Sequence, residues 1–226
     1  MPSGWWAGSG GDRRVGPGCG ILCAMSTVPA SSHSSSLVLA DRLLPRRGVL
    51  TDIGLVAGGV VVVSLLALVE FRIGPVPITG QTLGVMLVGS ALGMRRGAAA
   101  LTTYLVAGLA GAPIFAGGGG PAYLAQPSFG FIVGFVAAAA IAGWAAERAW
   151  DRHVGLAMVG FLLATAAPFL VGVPYMASVL NMTDPAAIAA AGITPFIVPG
   201  LIKAAIAAAI FPAAWAIVRR LDSSRD

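Results

Sequence analysis

Apolar and charged residues are segregated along this chain into six long apolar runs with the charges mostly between them. The runs are Asp52 to Val69, Gln81 to Met94, Ala98 to Ala110, Phe129 to Ala146, Val154 to Leu180 and Pro195 to Val218. A membrane-crossing helix needs roughly 20 apolar residues, and somewhat fewer where one end is buried in protein. Two of the six runs are short, yet all six fit that rule. Strand-like alternation is weak, and alanine and glycine are frequent, which predicts helices packed closely through small residues, as in Gly54 to Gly58. The expected fold is an all-α integral membrane protein of six transmembrane helices spanning residues 46–220, with residues 221–226 as a short cytoplasmic tail.

Composition supports this pattern. Of 226 residues, 57% are hydrophobic and 10% charged, and the mean hydropathy is +0.87. An ordinary soluble domain carries about a quarter charged residues, so a soluble fold is excluded. When the runs are assigned to alternate sides, Arg42, Arg46, Arg47, Arg95, Arg96, Arg148, Arg152, Arg219, Arg220 and Arg225 fall on one side. The positive-inside tendency makes that side cytoplasmic and places both termini there. The net charge of +5 therefore reports topology. Nucleic acid is not an expected partner, because no basic run interleaved with aromatics lies on a soluble face.

Residues 1–45 are rich in Gly, Ser and Pro, without a periodic apolar face or a secretory h-region, and read as a disordered cytoplasmic tail. Met25 offers an alternative start. Cys19 and Cys23 lie in this tail with only His33 near them, a poor set for a metal. Neither a metal nor a cofactor is expected.

The chain also lacks the groups that several activities need. A phosphate-binding loop wants G-x-x-x-x-G-K-[ST], but the sole lysine, Lys203, is followed by Ala204. Intramembrane hydrolysis wants paired acids or a nucleophile with a base, and a proton-driven carrier wants acids or histidines within its spans. The runs contain none in such positions. An enzyme or proton pump is disfavoured.

The remaining chemistry lies on the outer side. Residues 70 to 84 contain Pro75 and Pro77, which fix φ and predict a defined extended cap. Residues 110 to 131 contain the four glycines Gly117 to Gly120, where a backbone can approach a ligand closely. Phe115, Tyr123 and Phe129 offer flat apolar walls, and Gln81 and Gln126 polar groups, the usual composition of a small-molecule pocket. Lys203 sits near the outer start of the last run with no acid in that run. A charge in a span costs about 2.5–3.5 kcal/mol even on lenient insertion scales, and so is normally kept where it faces a partner. Snorkelling to the interface is the alternative.

The motifs Pro75 to Leu83, Gly93 to Gly97, Tyr104 to Gly118 and Pro127 to Phe135 occur in an order that closely resembles the BioY family, the biotin-binding membrane subunits of energy-coupling factor transporters. The resemblance covers about residues 50 to 218. It implies a six-helix plasma-membrane subunit that captures biotin from outside and works with a transmembrane coupling protein and cytoplasmic ABC-type ATPases. The substrate-binding residues it implies, with the pocket reading, are Lys203, Gln81, Thr82, Tyr104, Phe115, Gly117, Gly118, Gly119 and Tyr123. The ATPases would belong to partner subunits. Two departures stand out. The family commonly has an acid three residues before the lysine, where this chain has Gly200, and the first span has Gly54, Ala57 and Gly58 in place of the usual Ala-x-x-x-Ala. Two other readings stay open: the same architecture taking another vitamin or a biotin analogue, and a stand-alone facilitator or secondary carrier.

Overall fold

The structure, a computed structural model, describes residues 38–44 and 48–223. Cys19, Cys23 and Met25 lie outside the described residues. The described chain is largely helical. In order it comprises α1 (Leu39–Leu43), α2 (Val49–Ala67), β1 (Glu70–Phe71), β2 (Ile78–Thr79), α3 (Gln81–Leu92), α4 (Met94–Leu109), a 3₁₀ turn (Pro121–Ala125), α5 (Phe129–Glu147), a second 3₁₀ turn (Trp150–Arg152), α6 (Val154–Val179), α7 (Pro185–Gly192) and α8 (Thr194–Ser223).

Four segments among the described residues are long and apolar enough to cross a membrane: Val49–Ala67, Phe129–Glu147, Val154–Val179 and the stretch Pro185–Leu221. Large aliphatic side chains such as Leu50, Leu65, Leu170 and Val198 stand exposed on them. In water these would form extensive apolar patches, whereas hydrocarbon solvates them. Helix α3 is apolar but only 12 residues long, about 18 Å against a hydrocarbon core of about 30 Å.

Three expectations change. The tail drawn to residue 45 gives way to helix α1, whose Ala40 is buried and whose Asp41 accepts a 2.6 Å bond from Arg96 Nη1. Arg96 also holds Asp52 at 2.7 Å, so one guanidinium joins α1, α2 and α4. The arginine turn after α3 is shorter than expected: Arg95 and Arg96 lie inside α4, and Gly93 alone, at φ 85°, makes the corner. Between α6 and α8 the chain forms the additional helix α7. Asp184 caps it by accepting from the Ala186 and Ala187 amides, and Pro185 occupies its first turn.

The bundle is centred on α5, which packs against α3, α4 and α6, while α8 packs against α6 and α3. Small residues permit these contacts. A Cβ on Gly143 of α5 would run into the backbone of Gly93 and Met94 at the α3–α4 corner. Without a hydrophobic drive between helices in lipid, this close approach is what holds them together. Helices α6 and α8 each carry two internal prolines, Pro168 and Pro174, and Pro199 and Pro212. At the end of the bundle away from Lys203, the Trp215 indole donates to buried Asp151 at 2.7 Å, and Arg152 lies over the Trp215 ring. Burial raises the Asp151 carboxyl above its ordinary range, opposed by the indole bond and Arg152.

Gly143→Ala is expected to lower the melting temperature of the detergent-purified protein. The overpacking cost is about 1–3 kcal/mol, or about 2–4 °C for each kcal/mol. Gly155→Ala, where a Cβ meets nothing within 4 Å, should leave the melting temperature unchanged.

Candidate functional site

Near the α8 end that carries Lys203 lies a cavity of about 50 Å³. It is bounded by β2, the start of α3, the loop between α4 and α5, and the facing parts of α5, α6 and α8. Four phenylalanines stand in its wall. Phe131 and Phe135 come from α5, Phe169 from α6 and Phe196 from α8, and Phe131 stands edge-on to Phe169 at 5.7 Å and stacked with Phe196 at 5.9 Å.

Polar groups enter this wall at defined points. Lys203 lies nine residues into α8, about 14 Å from its start, and points inward rather than to the interface. Its Nζ donates to the Thr79 carbonyl at 2.6 Å. The Thr79 hydroxyl donates to Gln81 Oε1 at 2.8 Å and accepts from the Gln81 amide at 3.3 Å. Gln81 Nε2 donates to the Tyr104 hydroxyl at 2.6 Å, which donates in turn to the Ile114 carbonyl at 2.9 Å. The prolines before Thr79 and the two-residue pairing of β1 with β2 hold this carbonyl in place, with Glu70 opposite Thr79. A continuous line of hydrogen bonds thus joins α8, β2, α3, α4 and the loop before the 3₁₀ turn.

The residues expected from sequence divide into three groups. Lys203, Gln81, Thr82 and Tyr123 line the cavity. Tyr104 and Phe115 stand behind it: Tyr104 holds Gln81, and the Phe115 ring packs 5.2 Å from Tyr104 and 4.7 Å from Tyr123. Gly117, Gly118 and Gly119 do not line it. They form the turn where Phe115 and Gly118 exchange backbone bonds of 2.9 and 3.0 Å. Gly117, at φ 83°, lies under Arg72, whose Nη2 would be 2.7 Å from a Cβ there, and Gly119 lies against the Ala112 carbonyl. Arg72 in turn pairs with Glu70 at 3.0 Å, so the two loops at this end touch. Phe129 packs at a tilt against the Tyr175 ring instead of lining the cavity, and Gln126 is exposed.

Sequence reasoning missed Thr79, Ser128, Thr165, Pro168 and the phenylalanine wall. Thr79 and Ser128 fall inside quoted motifs and were within reach. Thr165 and Pro168 belong to α6, where no motif marks them. Tyr123 donates to the Ala116 carbonyl at 3.0 Å and touches Ser128 Oγ at 3.2 Å. Burial holds its phenol above the ordinary range, against the bond to Ser128, so it meets a ligand as a neutral group. No Asp or Glu lines the cavity, which leaves one ammonium, several neutral polar groups and aromatic faces. Such a set recognises a small, largely apolar anion. Among the described residues no cluster of metal-ligating side chains occurs.

Tyr104→Phe removes an acceptor from Gln81 and a donor from Ile114 in a buried site, a loss of about 1–3 kcal/mol. A lower melting temperature is expected, together with faster amide exchange across residues 79–81 and 114–118. Unchanged exchange there would show that the line of bonds carries no stability.

The same arrangement of helices is known elsewhere. A solved structure described as the S-component for biotin from an ECF-type ABC transporter superposes with a TM-score of 0.63 at 24% identity, covering 77% of this chain and 92% of that one. Among curated proteins, the biotin transporter BioY of Rhizobium etli is 38% identical over 162 residues, 68% of this chain and 86% of that protein. The probable biotin transporter BioY of Pyrococcus horikoshii is 34% identical over 160 residues, 70% of this chain and 93% of that one. Residues 32–220 match the description of the BioY family, and the chain belongs to that family.

Proposed function

We propose that this chain is the substrate-binding subunit of a biotin uptake transporter, taking the vitamin from the outer face of the plasma membrane. The cavity is the observation that carries this reading. Biotin brings an apolar bicycle, a ureido group with N–H donors and a carbonyl acceptor, and an aliphatic chain ending in a carboxylate. The cavity offers aromatic faces to the first, Gln81, Thr82 and Tyr123 to the second, and the Lys203 ammonium to an acceptor of the ligand. Tyr104 and Phe115 set the positions of Gln81 and Tyr123 from behind. The turn at Gly117 to Gly119, with Arg72 over it, shapes the mouth.

In this reading α3 and α4 join the four long segments to give six crossings with both termini cytoplasmic. The positive-inside tendency supports it: Arg96 with α1, Arg148 against Trp144 and Arg152 against Trp215 all sit at the end away from Lys203. Transport energy comes from partners, a membrane coupling protein and ABC-type ATPases, since the sole lysine lies in no phosphate-binding loop. Helix α2 presents a largely unburied face, with Leu50, Ile53, Val61 and Leu65 exposed beside Gly54 and Gly58. That face suits the coupling protein, and the remaining apolar surface suits lipid.

Titration calorimetry with biotin, thiamine and riboflavin tests the ligand. Biotin alone should bind, and Lys203→Ala should weaken it by at least about tenfold. Folded protein that ignores biotin would sink the reading. Energy coupling has its own measurement. Biotin uptake into vesicles should require the coupling protein and ATPases, and uptake that survives their omission would identify a stand-alone carrier.

A further inference from the structure

A second concavity lies on the outside of the bundle, where α5, α6 and the start of α4 meet. It is an open groove of about 540 Å³, lined among others by Met94 of α4, Ala140 and Trp144 of α5, and Leu163, Ala166 and Leu170 of α6. No charged side chain lines it, and Leu163 and Leu170 stay exposed beside it. From Leu163 to Leu170 it follows α6 for about 10 Å, against about 15 Å for the hydrocarbon of one leaflet. Left empty it would forfeit dispersion contacts along its lining, so in a bilayer an acyl chain or another protein fills it.

One end of the groove decides between these occupants. Arg148 lies over the Trp144 ring, its Cζ 4.0 Å from the centroid, with Nη1 donating to the Trp144 carbonyl at 3.4 Å. The residue before it, Glu147, accepts from the Met94 amide at 2.9 Å through Oε1. That bond ties the end of α5 to the start of α4 and brings Arg95, the residue after Met94, to the same corner. Arg95 and Arg148 are both exposed, and neither forms an ion pair among the described residues. Arg96 differs, because Asp41 and Asp52 hold it. The corner thus sets two guanidinium groups against one carboxylate, a net positive charge where the apolar groove begins.

The geometry points to a binding site for one anionic phospholipid, with an acyl chain lying between α5 and α6 and the phosphate at Arg148 and Arg95. The planar guanidinium fork matches phosphate oxygens, basic pockets between membrane helices take acidic headgroups, and a tryptophan such as Trp144 sits well at headgroup level. A zwitterionic headgroup adds an ammonium, which this corner repels. The face on α2 leaves the coupling protein a separate seat, and a single phospholipid matches both the apolar lining and the basic corner. The site does not depend on which ligand the Lys203 cavity takes.

Native mass spectrometry of the full-length protein tests this, with palmitoyl-oleoyl phosphatidylglycerol or phosphatidylcholine added at equal concentration in detergent. One phosphatidylglycerol should stay bound in at least about fivefold preference to phosphatidylcholine, the effect of one net charge near a membrane surface. Arg95→Gln combined with Arg148→Gln should remove the preference. Ala166→Phe, which fills the groove and leaves both arginines in place, should lower retention of either lipid. Arg219→Gln combined with Arg220→Gln removes two exposed arginines at the end of α8 and should change nothing. Phosphatidylglycerol should also raise the melting temperature of wild type and not that of the Arg95 and Arg148 double variant, which gives a second reading in solution. Equal retention of the two lipids by wild type overturns the site. So does an Arg219 and Arg220 variant that loses as much as the Arg95 and Arg148 variant, since the charge would then act from the whole surface. A dimer that Ala166→Phe dissociates would give the groove to a second copy of the chain and overturn the site as well.

Discussion

The hydrogen bond from Lys203 to the Thr79 carbonyl, 2.6 Å long, is the interaction on which this end of the molecule depends. A lone ammonium in an apolar helix is costly unless something accepts from it, and the acceptor is a backbone group fixed by the proline-bearing hairpin. Through Thr79 and Gln81 the constraint passes to Tyr104 and on to the Ile114 carbonyl. Each donor in the line has one acceptor, so removing a member leaves a buried polar group unpaired, which costs more than the bond itself contributes. The cation thereby sets the place of the first loop, the start of α3 and the second loop together.

The rest of the bundle is held by a different constraint. Hydrocarbon solvates leucine as well as a helix neighbour does, so helices in lipid associate through close packing and polar contacts. Gly143 against the α3–α4 corner is one such contact. Arg96 between Asp41 and Asp52, and Trp215 on Asp151, are the polar ones at the end away from the cavity. The two ends therefore rely on separate polar networks, with a tightly packed apolar middle between them.

The helical architecture and part of the lining of the candidate site were legible in the sequence because each leaves a local mark. Apolar runs mark helices, prolines mark the hairpin before Thr79, and a solitary lysine in an acid-free run marks itself. Gln81, Thr82, Tyr123 and Lys203 were found by these signals and by motif order, and they meet around one cavity. What was not legible depends on the third dimension. Thr165 and Pro168 reach the cavity only because α6 packs against α5 and α8, and nothing near them in sequence says so. The glycine turn drew attention for its openness, yet its role is to let Arg72 and the Ala112 carbonyl come near. Helix α1 was hidden because its stability comes from Arg96, more than fifty residues away and outside any local window.

The prolines of α6 and α8 bear on how such a site can work. Pro168 lines the cavity, and Pro199 immediately precedes the cavity-lining Gly200. At each of these turns the helix already lacks one backbone bond. Bending there breaks nothing further, whereas bending an uninterrupted helix must stretch its ladder. The two helices that wall the cavity are therefore most compliant at the depth where a guest would press on them, and that compliance is set by covalent structure rather than by side-chain packing.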